Sequence, residues 1–357
     1  MLDLTDRHFR CLLRQITRRT LLYSEMLTAA AVVHGDAERL LAKSPVEDPV
    51  VLQLGGDDPD LLARAAALGH AYGYAEIDLN VGCPSERVTS GNFGACLMKD
   101  PALVAEGVAA LRAAVPVPVT VKHRIGVDDR DSFPELLEFV DTVAAAGADR
   151  FVVHARKAWL KGLSPKENRT VPPLRYDVVY RLKAERPELL VELNGGIPDL
   201  EAAVAHLARV DGVMLGRAVY EDPFVLAGAD ELLRSPGAPR RDWRAAADEL
   251  MGGRPPLTRR SVVEAVYPYV EEQLLAGMPL AAMSRHMLAL FRSQPGGRAW
   301  RRMISERSHR RGAGVEVLRA ALAALPEGVA DAPVACSATS GADRPTTAAG
   351  RLAPHAT

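Results

Sequence analysis

Seven short apolar runs, rich in Val, Ile and Leu, recur between residues 21 and 215, and nearly every one ends in polar or glycine residues. They are Leu21–Met26, Val50–Leu54, Ala75–Val81, Val117–Arg124, Arg150–Arg156, Leu189–Leu193 and Asp211–Leu215. Amphipathic stretches separate them, among them Pro59–Leu68, Pro101–Val115, Phe133–Ala146, Asp177–Glu185 and Asp199–Ala208. A run that is apolar throughout must be covered on both faces, and helices between the runs supply that cover, so the pattern predicts parallel β/α units. Seven units in roughly 220 residues suit a (β/α)8 TIM barrel, typically ~250 residues long. A doubly wound sheet is the competing architecture. It accounts less well for the pattern, because no GxGxxG follows the first run.

An eighth strand should precede Leu21, yet only Met1–Thr5 comes before the helix-like stretch Asp6–Gln15. The first barrel strand is therefore expected to be missing. Beyond about Ala238 the periodicity is helical only, over Asp242–Met251, Ser261–Leu275, Leu280–Phe291, Gly297–Glu306 and Val315–Leu325. The last stretch, rich in Ala, Pro, Thr and Ser, holds no aromatic residue and cannot offset its ordering entropy by burial. The expected division is a barrel over 1–237, a small helical domain over 238–325 and a disordered tail over 326–357.

Composition narrows the class. Of 357 residues 48% are hydrophobic, enough for a large core, and 44 basic residues against 45 acidic leave a net charge of −1. The chain shows no long apolar span and no apolar signal core, so a cytoplasmic, membrane-free protein is expected. Cys11, Cys83, Cys96 and Cys336 lie far apart without a CxxC pair, which argues against disulfides and against a metal site. Nothing marks an obligate protein partner. The charge is unevenly spread: Arg285–Arg311 holds eight arginines against Glu306 alone, and Arg156, Lys157, Lys161, Lys166 and Arg169 oppose only Glu167. Two such clusters in a neutral chain point to a polyanion, with a solvated face as the plainer reading.

In (β/α)8 barrels the catalytic residues project from the C-terminal strand ends. After the third run, Asn80-Val81-Gly82-Cys83-Pro84-Ser85 places a thiol in a Gly/Pro turn, as a proton donor or as a small buried hydrophobe. Cys96 and Cys11 read as core residues. Asn194-Gly195-Gly196 and Gly216-Arg217 end the last two strands, where barrels commonly hold a phosphate and where arginine adds a bidentate donor. Lys122 and His154 occupy equivalent places on adjacent strands, and Gln53 an earlier one. A lysine inside a barrel needs an anionic answer. For Lys122 that is an anionic reduced flavin, a Schiff-base carbonyl chemistry, or an ion pair with Glu76 or Glu192.

At Asp78-Leu79-Asn80-Val81-Gly82-Cys83-Pro84-Ser85 the chain resembles the tRNA-dihydrouridine synthases. Thr5–Arg10, Val119–Lys122, Val152–Arg156 and Asp211–Ala218 resemble that family in order and spacing. Leu160–Arg169, Arg285–Leu288 and Trp300–Arg302 are similar to its A-type subfamily, and the resemblance spans Met1 to Leu325. It implies an FMN-dependent barrel with a helical domain, driven by NADPH, that reduces the C5=C6 bond of uridine at positions 20 and 20a of the tRNA D-loop. Carried over by position, Gln53, Lys122, His154, Asn194, Gly195, Gly196, Gly216 and Arg217 would bind FMN. Cys83 would give the proton to C5 opposite a hydride delivered to C6, and Asn80, Lys166, Arg169 and Arg285 would contact tRNA. The chain departs from the family at its start, where Met1 stands at the methionine of an Ala-Pro-Met that closes the first strand; a start codon assigned too late is the expected reason. The rivals are an FMN-dependent dehydrogenase of free pyrimidines, a Schiff-base lyase using Lys122, and a tRNA-binding barrel inactivated by truncation.

Overall fold

The computed structural model describes residues 1, 3–85, 91–234 and 256–334. Seven strands appear where the seven runs predict them: β1 (Leu22–Thr28), β2 (Val50–Gly55), β3 (Glu76–Val81), β4 (Val119–Arg124), β5 (Arg150–His154), β6 (Leu190–Asn194) and β7 (Gly212–Met214). All neighbours are parallel and in sequence order, and β1 and β7 are the edges of the sheet. No strand joins those edges among the described residues.

Alternation sorts each strand into two sets. One set, including Val50, Leu52, Leu54, Ile77, Leu79, Val119, Val121, Phe151, Val153, Val191 and Leu193, packs into a single apolar cluster with the surrounding helices. Those helices start on sequence-encoded caps. Asp58 accepts from Asp60 and Leu61 N–H ahead of the helix Pro59–Ala71, and Ser132 with Glu135 forms a capping box for Phe133–Ala145. The other set faces inward: Gln53 on β2, Glu76, Asp78 and Asn80 on β3, Thr120 and Lys122 on β4, Arg150 and His154 on β5, Glu192 and Asn194 on β6.

Arg150 shows that the sheet is curled. Its guanidinium donates to Glu76 on β3 and to the Tyr23 hydroxyl on β1 (3.3 Å), and its Nε lies 3.1 Å from Glu192 on β6. In a flat sheet β1 and β5 would lie about 19 Å apart, four strand spacings. The two carboxylates expected as partners for Lys122, Glu76 and Glu192, therefore belong to Arg150.

A second apolar cluster lies outside the barrel. Trp300, wholly buried and donating its Nε1–H to Met287 O, anchors the helix Gly297–Arg307 against Val315–Ala323 and its neighbours. The expected helix Ser261–Leu275 is broken into Arg259–Ala265 and Tyr267–Leu275. Two boundaries need correction. The N-terminal helix Arg7–Arg14, counted with the barrel from sequence order, packs Phe9, Leu12 and Leu13 into this second cluster. Residues 326–334, expected in the disordered tail, return to the helices: Val334 N–H donates to Leu257 O, Ala330 is buried, and Asp331 pairs with Arg260. The expected helix Asp242–Met251 and the tail from 335 on lie outside the described residues. Among those described, no helix is long and apolar enough to cross a membrane.

Arg150→Met should cost about 2–4 kcal/mol, because two half-buried carboxylates lose their cation. Chemical denaturation measures it. A midpoint equal to the parent's would show that Arg150 does not brace the curled sheet.

Candidate active site

Asp78 sits at the centre of the site with no exposed surface. Its Oδ1 accepts from Thr120 Oγ1 (2.7 Å) and its Oδ2 from Gln53 Nε2 (2.8 Å). Gln53 Oε1 accepts from Asn80 Nδ2 (2.9 Å), and Asn80 Oδ1 accepts from the backbone N–H groups of Gly82 (3.1 Å) and Cys83 (3.0 Å). The Cys83 loop thus hangs on a chain of buried polar groups. Cys83 itself is half-buried, its Sγ donating to Ser85 Oγ at 3.4 Å and its carbonyl accepting from Ala95 N–H. Residues 86–90 lie outside the described set.

Lys122 is the Cα partner of Asn80, one inward position beyond Thr120. Burial lowers its ammonium to about 8, against which the Asp78 carboxylate works; burial in turn raises Asp78 to about 7, opposed by its two hydrogen bonds and by Lys122. The lysine has no hydrogen-bond partner among the described residues. Its carboxylate is Asp78, a residue the sequence reading passed over although it lies two positions before Asn80 on the same strand face.

The register also corrects the placement of His154. It pairs with Arg124, and Lys122 pairs with Val152, so Lys122 and His154 are not at equivalent levels. Burial holds His154 well below its ordinary value, helped by the charges of Arg124, Lys122, Arg156 and Arg217, and its buried Nδ1 has no partner. A neutral ring with an unmet polar atom faces the mouth. Beside it, Gly195 and Gly196 both adopt positive φ (114° and 71°). A Cβ on Gly195 would sit 3.2 Å from His154 Cε1, and one on Gly196 2.5 Å from Leu174 Cδ1, so only glycine fits this loop. Asn194 Nδ2 donates to Met214 O, joining β6 to β7 just ahead of Gly216, where an added Cβ would lie 3.7 Å from Met1 Sδ. Arg217 is exposed and reaches Arg169 O with its Nη2 (3.3 Å).

Arg124, also passed over, is the second organiser. It is almost wholly buried, and donates to Gly82 O (2.8 Å), Lys157 O (3.0 Å) and Asn168 O (3.1 Å). One guanidinium therefore ties the Cys83 loop to the loop after β5. Asn168, fully buried, pins that loop from within by accepting from Trp159 N–H and donating to the carbonyls of Trp159 and Leu163. Lys166 and Arg169 stand exposed on it. Arg285 lies elsewhere, on the helical half, ion-paired with Asp6. Of the eight arginines between 285 and 311, Arg298, Arg301, Arg302, Arg307, Arg310 and Arg311 are exposed and carry no ion pair among the described residues. No cluster of three or more His, Cys, Asp or Glu suited to a metal occurs among them either.

The chain that builds this polar mouth, with its thiol loop, half-buried lysine and double-glycine turn, has a match that decides its kinship. The family model described as dihydrouridine synthase covers residues 1–325. The chain belongs to the dihydrouridine synthase family. It is 55% identical over 324 residues to the tRNA-dihydrouridine(20/20a) synthase of Synechocystis sp., covering 91% of this chain and 92% of that one. It is likewise 55% identical over 322 residues to the protein of the same name from Xanthomonas axonopodis pv. citri (90% and 91% covered), and 51% identical over 323 residues to that from Escherichia coli O6:H1 (90% and 92%). Dihydrouridine synthases are flavin-dependent oxidoreductases, and so is this one.

Arg124→Lys keeps the charge in this dihydrouridine synthase but cannot span three carbonyls. It should destabilise the fold by about 1–3 kcal/mol, the cost of unmet buried acceptors, and open residues 157–169 to limited proteolysis. Parent-like cleavage of that loop would count against the tie.

Proposed function

We propose that this enzyme reduces uridine to 5,6-dihydrouridine at positions 20 and 20a of the tRNA D-loop, in the cytoplasm, using bound FMN and NADPH. The observation that carries the reading is the convergence at one barrel mouth of a held thiol, a half-buried lysine and a glycine turn that admits no side chain. The names of the relatives support the tRNA substrate and its positions.

The residues fit FMN. Among the described residues the buried His154 Nδ1 and the half-buried Lys122 ammonium have no hydrogen-bond partner, which suits a polar, anionic group. Gly195 and Gly196, both at positive φ, bare the backbone of the loop after β6, and Arg217 stands beside Gly216 to take a phosphate. In this reading Gln53, Lys122, His154 and Asn194 hold the ring system, and Gly195, Gly196, Gly216 and Arg217 hold the phosphate end. When bound and reduced by NADPH, FMN would supply the hydride for uracil C6.

The chain's own residues do the rest. Cys83 delivers its thiol proton to C5, a general-acid role for which a loop held by Asn80 is suited. Lys122 offsets negative charge in a water-poor site, where a fixed ammonium acts strongly. His154, kept neutral, offers a hydrogen bond without adding charge. Asn80 holds the turn behind the thiol, and in this reading the base that leaves its stack packs against that turn. Lys166 and Arg169, exposed on the loop braced by Asn168, meet tRNA phosphates, as does Arg285 with Asp6 as its counter-charge. The exposed arginines of the helical half extend that contact and make it salt-dependent.

Incubated under nitrogen with NADPH and an unmodified tRNA transcript, the enzyme should raise the mass of the uridines at 20 and 20a by two hydrogens. Cys83→Ala should slow product formation about 10²–10⁴-fold with tRNA affinity nearly unchanged. Equal rates would remove Cys83 from proton delivery. Lys122 is charged below about 8 and neutral above it. Flavin reduction followed against pH should therefore weaken as pH rises through about 8, and a flat profile across that range would contradict the role given to Lys122.

A further inference from the structure

The buried chain behind Cys83 has a direction. An ionised Asp78 can only accept hydrogen bonds, so Gln53 turns its NH₂ group toward it and presents Oε1 on the far side. Asn80 must answer that oxygen with its own NH₂, which leaves Asn80 Oδ1 for the loop. The loop offers the Gly82 and Cys83 N–H groups, which can only donate. Both ends demand the same orientation of the two carboxamides. Water does not compete, since Asp78, Gln53 and Asn80 are 0%, 7% and 9% exposed. Thr120 on β4 occupies the remaining Asp78 oxygen, so the carboxylate cannot turn away.

We propose that Asp78 is a positioning residue for proton delivery: by setting the direction of the Gln53–Asn80 chain, it holds the Cys83 loop in the arrangement that presents the thiol. Asp78 does not touch Cys83; it acts through two intervening side chains. The inference rests on the reading of Cys83 as the proton donor.

Two pairs of variants test it in the full-length, FMN-loaded enzyme at about pH 8, above the value of about 7 to which burial raises Asp78. Asp78→Asn can still accept from Gln53 through Oδ1 and donate to the Thr120 hydroxyl, so the chain keeps its direction. Asp78→Leu cannot. Asp78→Leu should lower kcat about 10–100-fold with the KM for tRNA within about twofold, the pattern of a displaced catalytic group. Iodoacetamide labelling of Cys83, read by peptide mass spectrometry, should accelerate at least about threefold, because that loop loses its hold. Asp78→Asn should leave labelling unchanged and retain at least about fivefold more kcat than Asp78→Leu, since both variants remove the carboxylate that faces Lys122 and only Asp78→Leu breaks the chain.

Asn80→Asp puts a carboxylate at each end of Gln53, and one of them goes unanswered. In the double variant D78N/N80D the chain runs backwards with every bond kept. The carboxamide introduced at position 78 donates to Gln53 Oε1, Gln53 donates to the carboxylate introduced at position 80, and that carboxylate accepts from the loop. The double variant should recover at least about tenfold of the kcat lost in Asn80→Asp, a coupling between residues that do not touch. Parent-like kcat and labelling in Asp78→Leu, or a double variant no better than the product of its two singles, would overturn the inference. Should Asp78→Leu fail to fold, the second pair decides. If the parent enzyme forms no dihydrouridine, it is the functional reading that has failed, and labelling together with thermal melting of the same variants still reports whether the chain has a direction.

Discussion

Several of the charged side chains that face into this barrel are answered from other strands. Arg150 on β5 is met by Tyr23, Glu76 and Glu192 from β1, β3 and β6. One inward position further along, Asp78 is met by Thr120, Gln53 and the charge of Lys122. Burial of unpaired charge is so costly that these groups can persist only where the sheet curls enough to bring distant strands together. In this chain the demand for counter-charges and the curl of the sheet support each other. Among the described residues β1 and β7 are the edges of the sheet, and Arg150 links β1 to β5 and β6 through the interior instead.

The site grows from the upper part of the same layer. Period-two alternation places Asp78 and Asn80 on one face of β3, and Lys122 beside Asn80 on β4. What lies below as structure becomes, a few ångströms higher, chemistry. Asp78 and Lys122 illustrate the passage: burial moves each toward neutrality, and each holds the other partly charged. His154, neutral among four cations, and the glycine turn after β6 complete the mouth.

All seven strands and most helices of the barrel were legible, because continuous apolar runs and capped amphipathic stretches are local signals. The polar strand ends marked the mouth for the same reason. Register was not legible. Nothing local in Lys122-His123-Arg124 says that Arg124, and not Lys122, stands across from His154. Nor does a strand show which carboxylate its lysine will meet, since Glu76, Asp78 and Glu192 all face inward and only the curl assigns them. Arg124 and Asn168 escaped for a related reason: their partners are backbone carbonyls and amides of distant loops, which no side-chain pattern announces. The helix Arg7–Arg14 was recognised as a helix, but its allegiance to the C-terminal half is a long-range fact carried by Phe9, Leu12 and Leu13.

The most direct test of the account is the visible absorption spectrum of the purified protein, followed under nitrogen as NADPH is added. The account predicts flavin bands that bleach on NADPH and return in air. A colourless protein that takes up no FMN on reconstitution would contradict the assignment of this barrel mouth as a flavin site.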